Sequence, residues 1–126
     1  MHVLIVEPDR RLGQIYAAAL RSRGYSVDVA TNAQDAVVRA DSHKPDVVVV
    51  EIQLTAHSGV EFLYEFRSYT DWISIPVVIL SNVPPAEFSA SYKLLHERLG
   101  VVAYHYKPRT SLQVLLHAVD NSLAVA

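Results

Sequence analysis

Four side chains that could act together lie at the ends of separate apolar runs. They are two acids, a hydroxyl and an amine, namely Glu7, Glu51, Ser81 and Lys107. Such a set can bind a divalent cation, hold a phosphoryl group or form a buried ion pair. The residue types alone leave these three possibilities open. Pro108 follows Lys107, and a Lys-Pro pair at the end of a strand is unremarkable by itself.

The apolar runs that carry these residues predict five β-strands. They are rich in β-branched residues, and several are apolar on both faces, as strands covered by helices on both sides must be. The predicted strands are Val3–Val6, Val27–Ala30, Val47–Ile52, Val77–Leu80 and Val101–Tyr106.

Helical spacing between the strands predicts five helices. The expected starts are Asp9, then Asn32 or Thr31, the capping box Ser58-Gly59-Val60-Glu61, a start near Ala86, and the capping box Thr110-Ser111-Leu112-Gln113. The fourth helix is expected to end near Leu99. The residues expected on the inner faces of the first and last helices are Leu12, Ile15, Ala19 and Leu20, and Leu112, Leu115, Leu116 and Val119.

This alternation predicts an α/β fold with a parallel sheet, right-handed crossovers and helices on both faces. We interpret residues 1–126 as one domain, because no repeat, linker or low-complexity stretch interrupts them. In such folds a site lies beyond the carboxyl ends of the strands, where the strand order reverses. The residues expected there are Glu7, Pro8, Glu51, Ser81 and Lys107.

Composition narrows the functional classes. With 51% apolar and 19% charged residues the chain is typical of a globular domain, and the net charge of -2 gives no dominant surface for nucleic acid. The basic cluster Arg10, Arg11, Arg21 and Arg23 is interpreted as a solvated helix face. The chain has no cysteine, which excludes disulfides and thiolate sites. Glu7 follows the first apolar run too soon for a signal peptide, so we expect a cytoplasmic protein without membrane contact.

The order of these landmarks resembles the receiver domain of response regulators, which act in two-component and phosphorelay signal transduction. Val3-Leu4-Ile5-Val6-Glu7-Pro8-Asp9 resembles the opening strand, which ends in two magnesium-binding acids, and Pro45–Leu54 resembles the strand of the phosphorylated aspartate. Gly59 and Ser81 follow Glu51 by eight and thirty residues, and Tyr104-His105-Tyr106-Lys107-Pro108 matches the closing motif. The resemblance implies a flavodoxin-like (βα)5 three-layer sandwich of strand order 2-1-3-4-5.

The departures from the family pattern concern phosphoryl transfer. Glu51 stands where the family has its aspartate acceptor, Pro8 where it has its second acid, and Thr55 where it usually has proline. Because Pro8 has no side-chain ligand and Mg²⁺ demands a near-ideal octahedron, we expect no cofactor and weak magnesium binding. The weak metal candidates are Glu7, Asp9, Glu51 and Gln53, although Asp9 is also expected to cap the first helix.

The resemblance therefore predicts an atypical receiver, or pseudo-receiver, that is not an enzyme and acts by protein–protein interaction independently of phosphorylation. Ser81 and Tyr104 are the expected switch residues. The expected partner is a sensor kinase, an output domain or a second copy, forming a homodimer, through the face of helix four, strand five and helix five. No output domain is expected after Ala126, so the chain is interpreted as a stand-alone regulator or as part of a longer protein.

Two questions stay open at this stage. The alternative function is a conventional phosphoryl-accepting receiver, with Glu51, Glu7 and Asp9 as a makeshift Mg²⁺ site. Glu51 is either a built-in mimic of the phosphorylated state or a tolerated acid paired with Lys107. A flavodoxin-like cofactor site is disfavoured, because Glu7-Pro8-Asp9-Arg10 is not a glycine-rich phosphate loop and its acids would repel phosphate.

Overall fold

The strands and helices alternate along the chain. The computed structural model describes residues 1–54 and 58–124. The strands in these ranges are β1 (His2–Val6), β2 (Ser26–Ala30), β3 (Val47–Val50), β4 (Val77–Ser81) and β5 (Val101–Tyr106). The α-helices are α1 (Arg10–Ser22), α2 (Ala33–Ser42), α3 (Gly59–Ser68), α4 (Tyr92–Glu97) and α5 (Leu112–Ala124).

All five strands are parallel and form one sheet of order β2-β1-β3-β4-β5. Successive side chains of a strand point to opposite faces, and β1 divides between two cores accordingly. Leu4 and Val6 pack with residues of α2 and α3, whereas Val3 and Ile5 pack with residues of α1 and α5. The predicted flavodoxin-like three-layer architecture is confirmed.

The fourth helix differs from its prediction. Pro85–Ser91 forms a 3₁₀ segment, and only Tyr92–Glu97 is α-helical. The 3₁₀ segment contains no buried residue. Because helices in proteins depend mainly on packing an apolar face, a segment in which no residue is fully buried gains little from regular α-helical geometry.

The buried faces of α1 and α5 also differ from the prediction. In α1 the buried residues are Gly13, Tyr16, Ala17 and Leu20, and Ile15 is 43% exposed. Helix α5 begins at Leu112, one residue later than the predicted capping box would place it. Ser111 caps the helix in place of Thr110, since the Val114 N–H donates to Ser111 Oγ at 3.2 Å. The Thr110 hydroxyl instead donates to the Tyr106 carbonyl at 2.7 Å, and Leu112 is exposed.

Candidate functional site

Four chain segments meet at the carboxyl edge of the sheet. Glu7 and Glu51 directly follow β1 and β3, Ser81 ends β4, and Lys107 directly follows β5. These four strands are neighbours in the sheet, so their ends lie side by side. The structure therefore brings together the four side chains that the sequence placed at one site. Thr55 lies outside the described residues.

Lys107 joins the two acids. Its Nζ donates to Glu7 Oε1 at 2.7 Å and to Glu51 Oε1 at 2.8 Å. The side chains of Lys107, Glu7 and Glu51 are only 12%, 4% and 3% exposed. The distance from Lys107 to Glu51 is within the limit of about 3.2 Å for a charge-assisted hydrogen bond. The result is a buried ion cluster with two negative charges and one positive charge.

Each oxygen of Glu51 accepts two hydrogen bonds. Besides Lys107, Oε1 accepts from the Asn82 backbone N–H at 3.2 Å. Oε2 accepts from the Gln53 backbone N–H at 3.0 Å and from the Ser81 hydroxyl. The carboxylate thus occupies the donors at the ends of β4 and β5.

These contacts set the ionisation of the pair. Burial alone would raise the pKa of Glu51, but hydrogen bonds from Lys107, Ser81 and the Gln53 backbone outweigh burial and lower that pKa. Burial would lower the pKa of Lys107, but its hydrogen bonds to Glu51 and Glu7 raise it. Both groups are therefore charged at neutral pH.

A chain of hydrogen bonds connects Glu51 to Tyr104. Ser81 Oγ, which donates to Glu51, accepts from the Val83 N–H at 3.0 Å. The Tyr104 hydroxyl donates to the Val83 carbonyl at 2.6 Å, and its ring centroid lies 5.9 Å from that of Phe88. Burial raises the pKa of Tyr104. The Tyr104 side chain therefore points into the protein, where it packs against the buried core.

The profile of the response regulator receiver domain matches residues 3–119. This chain belongs to that family. It is 31% identical over 107 residues to the KDP operon transcriptional regulatory protein KdpE of Escherichia coli K12, covering 85% of this chain and 44% of KdpE. It is 26% identical over 122 residues to Protein Rrf1 of Nitratidesulfovibrio vulgaris, covering 97% of this chain and 82% of Rrf1.

The chain therefore spans less than half the length of the transcriptional regulator KdpE. In fold it is similar to the chemotaxis response regulator CheY4 of Vibrio cholerae, with a TM-score of 0.85, 22% identity, and coverage of 97% of this chain and 98% of CheY4. No helix among residues 1–54 and 58–124 is long and apolar enough to cross a bilayer.

The oxygen atoms of this receiver domain fit a magnesium ion poorly. Pro8 offers no side-chain donor, and Glu7 Oε2 accepts from the Asp9 N–H at 3.0 Å. Asp9 itself caps α1, with Oδ1 accepting from the Leu12 N–H at 3.1 Å. An ion between Glu7 and Glu51 would have to displace the Lys107 ammonium group. Mg²⁺ requires near-ideal octahedral geometry, and here the Lys107 ammonium group already contacts one oxygen of each carboxylate.

Gly59 fixes the start of α3 against the residues that follow β3. Its N–H donates to the Ile52 carbonyl at 2.6 Å. A Cβ at position 59 would lie 2.6 Å from the Glu51 carbonyl oxygen and 2.7 Å from Ile52 Cα. In the sequence, Gly59 was located by its spacing from Glu51 and by the capping box that contains it. The close backbone approach was not foreseen, and neither were the N–H donors of Asn82 and Gln53, because both depend on loop conformation.

Proposed function

We propose that this receiver domain acts as a phosphorylation-independent protein-interaction module, with Glu51 at the position of the family's phosphoryl-accepting aspartate. One observation carries the proposal. The Glu51 carboxylate is bound at once by Lys107 and Ser81, and Ser81 connects through Val83 to the inward Tyr104. By the resemblance to receiver domains, Ser81 and Lys107 stand where the family binds a phosphoryl group on its aspartate. Glu51 thus acts as a permanent substitute for that group.

The chemistry of Glu51 supports loss of phosphoryl transfer. A glutamate places its carboxylate about one C–C bond further along the side chain, and a misplacement near 1 Å can cost on the order of 100-fold in rate. Its oxygens already accept four hydrogen bonds. A nucleophile held in this way would first have to release Lys107 and Ser81.

The poor fit of the available ligands to Mg²⁺ supports the same proposal. The conventional alternative needs Asp9 to join Glu7 and Glu51 around Mg²⁺, but Asp9 is exposed and caps α1. No Mg²⁺ or other cofactor is therefore part of the proposed function, which is not enzymatic.

The proposed partner is a protein: a sensor kinase, an output domain or a second copy of the chain. The proposed surface is the face of α4, β5 and α5, next to the inward Tyr104. Large side chains on these elements are exposed to solvent, with Tyr92 at 62%, Val102 at 49% and Leu112 at 41%. Aromatic and apolar residues are suited to the core of an interface.

Incubation with acetyl phosphate and Mg²⁺, followed by intact-mass spectrometry, tests this proposal. We expect no phosphoryl adduct on the native chain. The double variant Pro8→Asp/Glu51→Asp is the matched positive control, because it restores the second acid and the length of the acceptor. Adduct formation in the double variant alone supports the proposal. An adduct on Glu51 of the native chain would establish the conventional alternative.

A further inference from the structure

A second polar cluster lies at the amino edge of the sheet, opposite Glu51. His2 begins β1, Asp28 lies within β2, and His43 directly follows α2. In the register of β1 and β2, His2 is opposite Ser26 and Leu4 is opposite Asp28. Because side chains alternate along a strand, His2 and Asp28 are diagonal neighbours on one face. The C-terminus of α2 brings His43 to the same place.

The three side chains are in contact. His2 is 5% exposed, and its Nε2 lies 3.0 Å from Asp28 Oδ2. The rings of His2 and His43 are stacked, with centroids 3.6 Å apart. One ligand atom from each residue lies within 4.8 Å of the other two, and in residues 1–54 and 58–124 no other group of three His, Cys, Asp or Glu ligands meets this condition.

We propose that His2, Asp28 and His43 form a binding site for Zn²⁺ or a similar divalent transition-metal ion. Imidazole nitrogens and a carboxylate are ligands that zinc accepts at about 2.0–2.2 Å in tetrahedral geometry. Two ligands on such a tetrahedron are about 3.4 Å apart, close to the 3.0 Å between His2 and Asp28. Three protein ligands leave the fourth position to water.

Neighbouring groups hold His2 in the orientation that a metal ligand needs. Its Nε2 lies next to Asp28, and its Nδ1 lies 2.7 Å from Ser26 Oγ, a hydroxyl that can accept from an Nδ1–H when a metal ion binds Nε2. Its backbone N–H donates to Asp46 Oδ2 at 2.7 Å. A hydrogen bond from the ring nitrogen that does not bind the metal fixes the tautomer and ring orientation of a metal-binding histidine. His2 is therefore already positioned.

Binding requires one movement, which the exposed His43 can make. The stacked rings are only 13° from parallel, so their in-plane lone pairs cannot point at one ion. Rotation of the His43 side chain turns a ring nitrogen towards the ion and breaks the stacking contact with His2. Arg39 opposes binding, because its Nη1 lies 3.8 Å from Asp28 Oδ1. That arginine also pairs with Asp35 at 2.8 Å, so its charge is shared.

Calorimetric titration of the untagged chain with Zn²⁺ at neutral pH tests the site, with Mg²⁺ as a probe that prefers oxygen ligands. We expect one Zn²⁺ per chain and no Mg²⁺ binding at His2. His43→Ala changes an exposed residue and should weaken Zn²⁺ binding by more than about 10-fold. Arg39→Gln should strengthen it by up to about fivefold, because it removes a partly exposed opposing charge.

The control is His117→Ala, which removes an exposed histidine from α5 and should leave zinc affinity unchanged. Absence of saturable Zn²⁺ binding to the native chain overturns the proposal. So does a His43→Ala variant that binds like the native chain, or a His117→Ala variant that is weakened equally. None of these outcomes depends on the role of Glu51, because the two clusters lie at opposite edges of the sheet.

Discussion

At the residue scale, Lys107 stabilises the buried ion cluster that it forms with Glu7 and Glu51. It is the cation that hydrogen-bonds to both Glu7 and Glu51, and all three side chains are almost entirely buried. Sequence spacing predicted that these residues meet, because the carboxyl ends of parallel strands share an edge. It did not predict that one amine would bind both acids, since that depends on side-chain conformation.

Replacing Lys107 should therefore destabilise the fold more than replacing Glu51. Lys107→Met leaves two buried carboxylates without a counter-ion, and removing one partner of a buried pair costs on the order of 3–5 kcal/mol. Glu51→Gln keeps the shape and leaves Lys107 paired with Glu7, so a loss of about 1–2 kcal/mol is expected. Urea unfolding measures both, with Glu65→Gln on the exposed face of α3 as the control. A larger loss from Glu51→Gln would contradict the assigned role of Lys107.

The pKa of Glu51 makes its contribution dependent on pH. Since folding lowers that pKa from its ordinary value of 4.5, the ionised form is favoured in the folded state. The stabilisation is present above the ordinary value and is lost as the pH falls through the lower folded value. We expect the difference in unfolding free energy between the native chain and Glu51→Gln to shrink below about pH 4.5. Urea unfolding between neutral and acid pH measures it, and a difference that stays constant would contradict the lowered pKa.

At the element scale, the alternation of strands and helices predicted parallel pairing, and the family resemblance supplied the strand order, whereas the 3₁₀ segment Pro85–Ser91 was not predicted. Apolar runs and capping residues predict that a strand or helix exists, because the local sequence determines which side chains can be buried and which can hydrogen-bond to the end of a helix. The choice between 3₁₀ and α geometry depends on what the segment packs against. The same limit applies to His2 and Asp28, which meet only through the register of β1 and β2.

Gly59 should tolerate a side chain poorly, because the atoms nearest to it belong to the backbone. An added Cβ would overlap the backbone at Glu51 and Ile52, which cannot move aside as a side chain can. We expect Gly59→Ala to cost about 1–3 kcal/mol. Gly13→Ala is the matched control, because its Cβ would lie 2.9 Å from a Val29 methyl group, which belongs to a side chain. In addition, alanine in a helix interior stabilises the fold by about 0.5–1 kcal/mol relative to glycine. Equal losses in urea unfolding would exclude a special backbone contact at Gly59.

At the scale of the whole molecule, a chain of hydrogen bonds runs from the Glu51 carboxylate to Tyr104 in β5, within the proposed interaction surface. Glu51 bonds Ser81, Ser81 bonds the Val83 backbone, and Tyr104 is held inward by the Val83 carbonyl. A charge shifts a two-state switch only by the difference between its interaction energies in the two states. An ion pair exposed to solvent would supply about 0–1 kcal/mol. The pair of Glu51 and Lys107 is buried, so solvent screens its attraction far less.

The most direct measurement of this claim compares tyrosine ring NMR signals of the native chain with those of Glu51→Gln. Tyr104→Phe identifies the Tyr104 signals, and Glu65→Gln makes the same chemical change at an exposed site. We predict that Glu51→Gln weakens the bond to Lys107, releases Ser81 and moves the Tyr104 ring away from Phe88, while Glu65→Gln changes nothing. A Tyr104 ring that keeps its native shifts in Glu51→Gln would mean that Glu51 is only a tolerated acid paired with Lys107.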